Sequence, residues 1–245
     1  MLACSVNHPM TTRVLAFAFA CLVLGACTST SGLDDQDADD LFGGSEIGDP
    51  IEPTNRKLFS VHQTVDKTVV RPVAKGYGRI PGAVRRGVSN AISNLGEPFS
   101  VANQVLQADM DGALGGTKRF FINSTIGILG VMDIAESRFK IEEDKEDFGQ
   151  TLAVWGVPEG TYLVLPGLGP TTIRHLTGRI AGAFLDPANI VLGGTGATAA
   201  MAALKAVDTR QKLLKPLDDL ERTSMDYYAA LRSVYWQRRN AAIQR

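Results

Sequence analysis

The chain has 245 residues with 25 Lys+Arg, 26 Asp+Glu and three histidines, for a formal charge of −1. That length allows one large domain or two small ones, and the dispersed basic residues argue against nucleic acid as a partner. The only cysteines are Cys4, Cys21 and Cys27, too few and too clustered at one end for a disulfide framework.

The N-terminus carries export information. Arg13 follows Met10, and Val14 to Val23 is an apolar run, the layout of a secretory signal. The run falls short of the roughly 20 residues a membrane span needs. Translation from Met1 or from Met10 gives the same signal. Leu24-Gly25-Ala26-Cys27 closes the run and resembles the lipobox of bacterial lipoproteins. Residues 1–26 then form a signal peptide, and the Cys27 thiol carries a diacylglyceryl group. The alternative is an ordinary secretory signal in which Cys27 is incidental. Thr28, rather than aspartate, follows Cys27, which favours the outer membrane over inner-membrane retention. Residues 27–50 hold Asp34, Asp35, Asp37, Asp39, Asp40, Glu46 and Asp49 with no basic residue. Rich also in Ser, Thr and Gly, they predict an acidic, disordered tether. The body, 51–245, holds 24 Lys+Arg against 19 Asp+Glu, a balance suited to an anionic lipid surface.

The body reads as helices punctuated by Pro and Gly. Leu58, Val61, Val65 and Val69 recur at helical spacing, with Pro72 ending or kinking that helix. Pro81 opens a second stripe, Val84, Val88, Ala91, Ile92 and Leu95. Pro98 suits a first helical turn, so Phe99, Ala102, Val105 and Leu106 predict a new helix there. Gly112 to Asn123 predicts another. Phe120 to Met132 and Pro187 to Leu204 carry no charge and are broken by glycines. Each is either a buried core element or a segment lining a cavity or a membrane boundary. Tyr162 to Leu165 predicts a short strand stopped by Pro166 and Gly167. Leu213, Leu217 and Leu220 line one late helical face, and Met225, Tyr228, Leu231 and Tyr235 another, with Arg238 and Arg239 in the last turns.

Catalytic signatures are weak. Gly194-Thr-Gly196-Ala-Thr-Ala199 matches a dinucleotide pattern, but the βαβ unit and the acidic residue some 20 positions on are missing. Asp147-Phe148-Gly149 copies a kinase triplet without the other kinase motifs. Gly112 to Lys118 misses the P-loop glycine. His62 and His175 lie far apart, His175 in a polar setting that reads as surface, and no cluster suits zinc. The residues therefore predict no enzyme, no metal and no cofactor.

Several strings in one register resemble the MlaA (VacJ) lipoprotein family. They begin with Asp49-Pro-Ile-Glu52, Asn55-Arg56, Phe59 and Arg71-Pro-Val-Ala-Lys-Gly-Tyr77. Arg86-Gly-Val-Ser-Asn90, Asn94-Leu95, Glu97-Pro98, Asn103 to Gln107, Arg119-Phe120 and Asn123 to Gly127 continue the match. The most specific is Asp147-Phe148-Gly149-Gln150-Thr-Leu152 with Trp155-Gly156, then Tyr162 to Pro166 and Gly169-Pro170. Asp208-Thr-Arg210, Asp226-Tyr-Tyr228 and Arg232 close the series. Ala91, Thr161 and His175 stand where the family usually has an aromatic, a proline and an aspartate.

The resemblance implies a mainly α-helical single domain over residues 51–245, ring-like and seated in the outer membrane beside trimeric porins. It implies removal of phospholipid from the outer leaflet and its transfer to a periplasmic carrier protein, which maintains lipid asymmetry. On this reading Phe120, Phe121, Ile126, Leu129 and the segment Pro187 to Leu204 line the lipid passage. The segment Ser89 to Pro98, with Asn90, Ala91 and Asn94 and bracketed by Gly87 and Gly96, controls access. A structural lipoprotein docked on porins and an envelope lipase are the rival readings.

Overall fold

The computed structural model describes residues 49–185 and 195–244, which belong to one compact unit, 47–245. Cys27, the signal peptide, the tether up to residue 48 and Pro187 to Gly194 lie outside the described residues. The unit is mainly α-helical with one small sheet, as expected.

Helix α1, Glu52–Val65, runs through a π-helical turn, Asp66–Val70, into α2, Arg71–Tyr77. Pro72 therefore stops nothing. It occupies the first turn of α2, directly after the π-helical turn. Arg210 clamps the π-helical turn by donating from Nε and Nη2 to the two Asp66 oxygens, both at 2.7 Å.

Helix α3 spans Gly82–Leu106, and α4 spans Met110–Thr125. They form a hairpin through Ala108, a non-glycine residue at φ 62°. Asp109 caps α4 by accepting from the Gly112 N–H at 3.0 Å. The helix expected to begin at Pro98 does not, because Pro98 lies inside α3. An internal proline costs about 3 kcal/mol. Bonds on both sides of Pro98 offset it: before it Asn94 to Ser124 and Glu97 to Arg119 of α4, and after it Ser100 to the Asp144 carbonyl.

A short helix, α5, Ile134–Phe139, precedes an extended segment bonded along α3. The Ser100 hydroxyl donates to the Asp144 carbonyl at 2.9 Å and accepts the Glu146 N–H at 2.6 Å. Helix α6, Phe148–Val154, follows. The antiparallel strands β1, Tyr162–Leu165, and β2, Gly169–Thr172, pair Tyr162 with Thr172. The expected strand is thus present, with a partner. Helices α7, Ile173–Leu185, α8, Thr195–Lys212, α9, Leu214–Thr223, and α10, Tyr227–Ile243, complete the described chain.

The apolar core is small and aromatic. Phe59, Tyr162, Val164 and Tyr228 are buried together, with Leu231 and Tyr235 packed against them. Asn55 supports it from α1. Its Nδ2 donates to the Tyr162 carbonyl at 2.9 Å and its Oδ1 accepts the Val164 N–H at 3.1 Å, so the free edge of β1 is satisfied by one side chain. Met225, expected on this face, is fully exposed and precedes α10.

Candidate functional site

The α3–α4 hairpin reverses the usual polarity of a helix pair. The apolar stripe on α3 is not its buried face: Val84 is exposed, and Val88, Ala91, Ile92 and Leu95 are half-buried. The buried positions of α3 are Gly87, Asn94, Glu97, Ser100, Asn103 and Gln104. On α4 they are Ala113, Gly116, Arg119 and Asn123. Val84, Val105 and Leu106 of α3 and Met110, Leu114 and Phe121 of α4 are exposed instead. Met110, Leu114 and Phe121 recur at i, i+4 and i+11, one helical face.

Arg119 sits at the centre of the buried polar side, with 2% of its side chain exposed and Glu97 at 3%. Its Nε donates to Glu97 Oε1 at 3.0 Å, its Nη2 to Asp133 Oδ2 at 2.8 Å, and its Nη1 to the Ile141 carbonyl. Burial raises the Glu97 pKa against the pull of Arg119. Burial also disfavours the Asp133 charge, but bonds from the Glu136 N–H, Arg119 and Asn123 outweigh it and lower the pKa. Asn123 completes the knot, donating to Asp133 at 3.0 Å and accepting the Ala135 N–H at 2.9 Å.

This knot holds an unusual loop. Between α4 and α5 the chain turns through Ile128 at φ 53°, Leu129 at φ 55° and Gly130 at φ 85°. The left-handed region is costly for a β-branched residue, on the order of 1–3 kcal/mol, so the surroundings must impose it. The Asn123 and Ser124 carbonyls accept the Gly130 and Leu129 N–H groups at 2.8 and 3.1 Å. Asn90 Nδ2 donates to the Val131 carbonyl at 3.1 Å. A Cβ on Gly130 would stand 2.4 Å from Asn94 Cβ. The strain presents apolar side chains outward: Ile126, Ile128, Leu129, Val131 and Met132 are all exposed, Leu129 at 77%.

The residues expected to line a passage therefore gather in one place. Phe121, Ile126 and Leu129 are exposed at the end of α4 and in the loop, and Phe120 is half-buried with its ring 5.7 Å from Phe121. Of the segment Pro187 to Leu204, the described part is the first half of α8. The expected access segment, Ser89 to Pro98, is an unbroken stretch of α3 whose Asn90 and Asn94 hold the loop. Ala91 is half-buried beside them.

The Asp147-Phe-Gly-Gln string is structural. Asp147 caps α6 by accepting the Gln150 N–H at 3.0 Å and binds Arg239 of α10 at 2.6 Å. The Phe148 and Trp155 rings meet at 6.0 Å, and the Trp155 indole donates to the Leu106 carbonyl at 3.0 Å. A Cβ on Gly178 of α7 would lie 2.3 Å from the Gly149 nitrogen, so the two helices touch through their glycines. Gln150 Nε2 donates to the Lys145 carbonyl at 3.1 Å. His175 is not the surface residue its neighbours predict. It stacks on Tyr235, with Nδ1 3.0 Å from the hydroxyl and 17% of the side chain exposed. Burial and Arg239 push its pKa down to about 4, against the pull of Asp147. His62 Nδ1 accepts the Gly167 N–H at 3.2 Å. Among the described residues, neither ring bonds a serine hydroxyl.

Glu97, Asp133 and Asn123 are positioning residues that apolar periodicity does not find. A signal existed: Asn94, Glu97, Ser100 and Asn103 form a polar stripe at every third residue.

The sequence profile of the family described as MlaA lipoprotein matches residues 47–242. The Escherichia coli K12 protein named intermembrane phospholipid transport system lipoprotein MlaA is 34% identical over 233 residues, 94% of this chain and 88% of that one. Its Haemophilus influenzae namesake is 34% identical over 197 residues, 79% of this chain and 78% of that one. An uncharacterised Rickettsia prowazekii protein is 34% identical over 203 residues, 82% of this chain and 80% of that one. A structure solved for work on the structural basis of bacterial outer membrane lipid asymmetry superposes with a TM-score of 0.72 at 34% identity, covering 80% of this chain and 99% of that one.

Proposed function

The chain belongs to the MlaA lipoprotein family, and from that premise we propose that it moves phospholipid out of the outer leaflet of the outer membrane to a periplasmic carrier. The observation that supports this most is the reversed polarity of the α3–α4 hairpin. A soluble protein rarely exposes a large contiguous apolar patch. Here Met110, Leu114, Phe121 and the apolar side chains from Ile126 to Met132 are exposed, with Lys118 on the same face of α4, while Glu97, Arg119 and the amides of Asn94, Asn103 and Asn123 are buried. That arrangement suits hydrocarbon outside and a wet, polar interior.

Among the described residues no helix is long and apolar enough to cross a membrane. The exposed stripe fits one leaflet instead. At about 1.5 Å per residue, Met110 and Phe121 lie about 16 Å apart along α4, near half of a hydrocarbon core of roughly 30 Å. Acyl chains on Cys27 would deliver and retain the protein there, with a trimeric porin as its neighbour.

Transport without covalent chemistry asks for an amphipathic path. Exposing about 30 tail methylenes to water would cost on the order of 25 kcal/mol, so the tails must stay covered by residues such as Phe120, Phe121, Ile126 and Leu129. The headgroup needs polar partners, because an unpaired buried charge is costly. The segment Ser89 to Pro98 would govern entry.

The test is an outer-leaflet phospholipid assay on a strain lacking the protein and on strains carrying Cys27→Ala or Phe121→Asp. Deletion and Phe121→Asp should both raise outer-leaflet phospholipid, the latter at normal protein abundance. An unchanged outer leaflet after deletion would overturn transport and leave a porin-associated scaffold. Released lysophospholipid or fatty acid that depends on His62 or His175 would point to a lipase instead.

A further inference from the structure

We propose that the cavity between the opening of α3 and the last turn of α8 binds the phosphate of a phospholipid headgroup, an assignment that rests on the transport reading above. The cavity holds about 320 Å³ and is lined by Arg85, Arg86, Ser89 and Asn90 of α3 and by Asp208 and Lys212 of α8, among others. That volume is at the small end of ligand pockets, roughly 300–1,000 Å³, which suits a headgroup with its tails lying elsewhere.

The charge of the cavity is unbalanced. Three cations face one carboxylate, and that carboxylate is already engaged. Asp208 accepts from Tyr77 Oη at 3.2 Å and pairs with Lys212 Nζ at 2.9 Å. Lys212 also donates to the Ser89 hydroxyl. Arg85 uses its Nε on the Ile80 carbonyl at 3.0 Å, and among the described residues no carboxylate pairs with Arg85 or Arg86. A Cβ on Gly82 would stand 3.4 Å from Arg86 Nη1, so this guanidinium lies over the first turn of α3. The positive end of a 25-residue helix adds to the same field. Two guanidinium forks and an ammonium around a polar space match a phosphodiester, which offers four oxygens and one negative charge.

The position of the cavity favours a lipid over free phosphate. Asn90 lines it and also donates to the Val131 carbonyl of the apolar loop. Gly87, one turn before, would bring a Cβ within 3.0 Å of Val131 Cγ1. The cationic cavity and the outward-facing apolar loop thus share one wall of α3. A molecule with a phosphate at one end and acyl chains at the other meets both.

The experiment is calorimetric titration of the full-length protein in detergent with three probes: dihexanoyl phosphatidylglycerol, dihexanoylglycerol and inorganic phosphate. The phosphatidylglycerol should bind at least tenfold more tightly than either of the others, and more weakly as salt rises. Arg85→Gln with Arg86→Gln should remove that tenfold preference, whereas Arg86→Lys should keep most of it. Arg86 is exposed, so Arg86→Gln alone should fold normally and show a partial loss, with circular dichroism as the check. Equal binding of dihexanoylglycerol, or undiminished phosphatidylglycerol binding by the double variant, would overturn the site. Inorganic phosphate binding as tightly as the lipid would overturn the headgroup as its occupant. If deletion of the protein raises outer-leaflet phospholipid while the double variant binds normally, the site fails and transport stands. If deletion changes nothing, transport itself fails.

Discussion

Helix α1, strand β1 and helix α10 pack together like a soluble protein, whereas the α3–α4 hairpin packs like a membrane protein. Around α1, β1 and α10 the aromatic rings of Phe59, Tyr162 and Tyr228 fill the core, with one buried carboxylate, Asp49, held by Arg232 and the Tyr228 hydroxyl. Arg56 bridges Glu52 and Asp226 at 2.7 and 2.5 Å on the surface, with its guanidinium 4.6 Å from the Tyr228 ring. In the hairpin the Glu97–Arg119 pair is inside and the Phe121 ring outside, with Phe99 and Phe120 half-buried. The same chemistry is placed oppositely, and the difference points to two solvents. Water rewards buried rings, and hydrocarbon rewards buried polar groups.

The strongest way to break this comparison is to remove the inner charge. Arg119→Ala would leave Glu97 and Asp133 without their cation, a loss of about 3–5 kcal/mol when a buried pair loses one partner. Urea unfolding should show it. Arg119→Met combined with Glu97→Leu should recover part of the loss, because an apolar replacement of the pair avoids the orphaned charge. If Arg119→Ala unfolds like the wild type, the polar knot does not hold the hairpin.

The watery end should respond to pH instead. His175 has a folded pKa of about 4 against 6.5 for the free side chain, through burial and the nearby Arg239. The unfolded chain therefore binds more protons between those values, and stability falls as pH drops from 6.5 to 4, by on the order of 3 kcal/mol. Asp147 works below that window. Its pKa is lowered because its bond and charge contact with Arg239 outweigh its burial, so its contribution is kept above pH 3.8 and lost on further acidification. Melting curves of His175→Gln should be flatter between pH 6.5 and 4. A slope equal to the wild type would place the acid sensitivity elsewhere.

Gly130→Ala probes the join between the two polarities. The new methyl would meet Asn94 Cβ at 2.4 Å in a backbone at φ +85°, and about 2 kcal/mol of stability should be lost. The unfolding midpoint reads the effect. A neutral result would mean that the loop relaxes freely and that its conformation is not imposed.

Much of the fold was legible because Pro and Gly punctuate it. Pro81 opens α3, Asp109 and Asp226 cap α4 and α10, and Pro166 follows β1. Pro98 misled because a proline inside a helix is tolerated where neighbouring segments hold both sides of it, here α4 before it and the chain around Asp144 after it. The buried face of α3 was not legible from hydrophobic periodicity, which finds a stripe correctly but assumes that water lies opposite it. His175 was misread from its polar neighbours, although its ring faces Tyr235, 60 residues later. The cationic cavity was invisible because Arg85 and Lys212 are far apart in sequence and meet only when α8 packs on α3. Phe120, Phe121, Ile126 and Leu129 are near neighbours in the chain, and the last three are exposed. Their shared surface depends on a left-handed loop whose only sequence mark is Gly130.

The smallest stability effect tests the comparison most directly. Leu129 is 77% exposed and Phe121 61%, so in water a polar residue at either place loses almost no packing. Leu129→Lys should change the unfolding free energy of the detergent-free protein by less than about 0.5 kcal/mol. If the loop instead rests in hydrocarbon, the same lysine costs about 2.5–3.5 kcal/mol at full depth, and less where the side chain reaches the interface. Measured in the Cys27→Ala background, which lacks the acyl anchor, partition into phospholipid vesicles should therefore fall several-fold while the melting temperature stays put. A substitution that lowers both would mean that the loop packs against protein. One that lowers neither would mean that its apolar side chains meet no lipid, and the reversed hairpin would need another solvent to explain it.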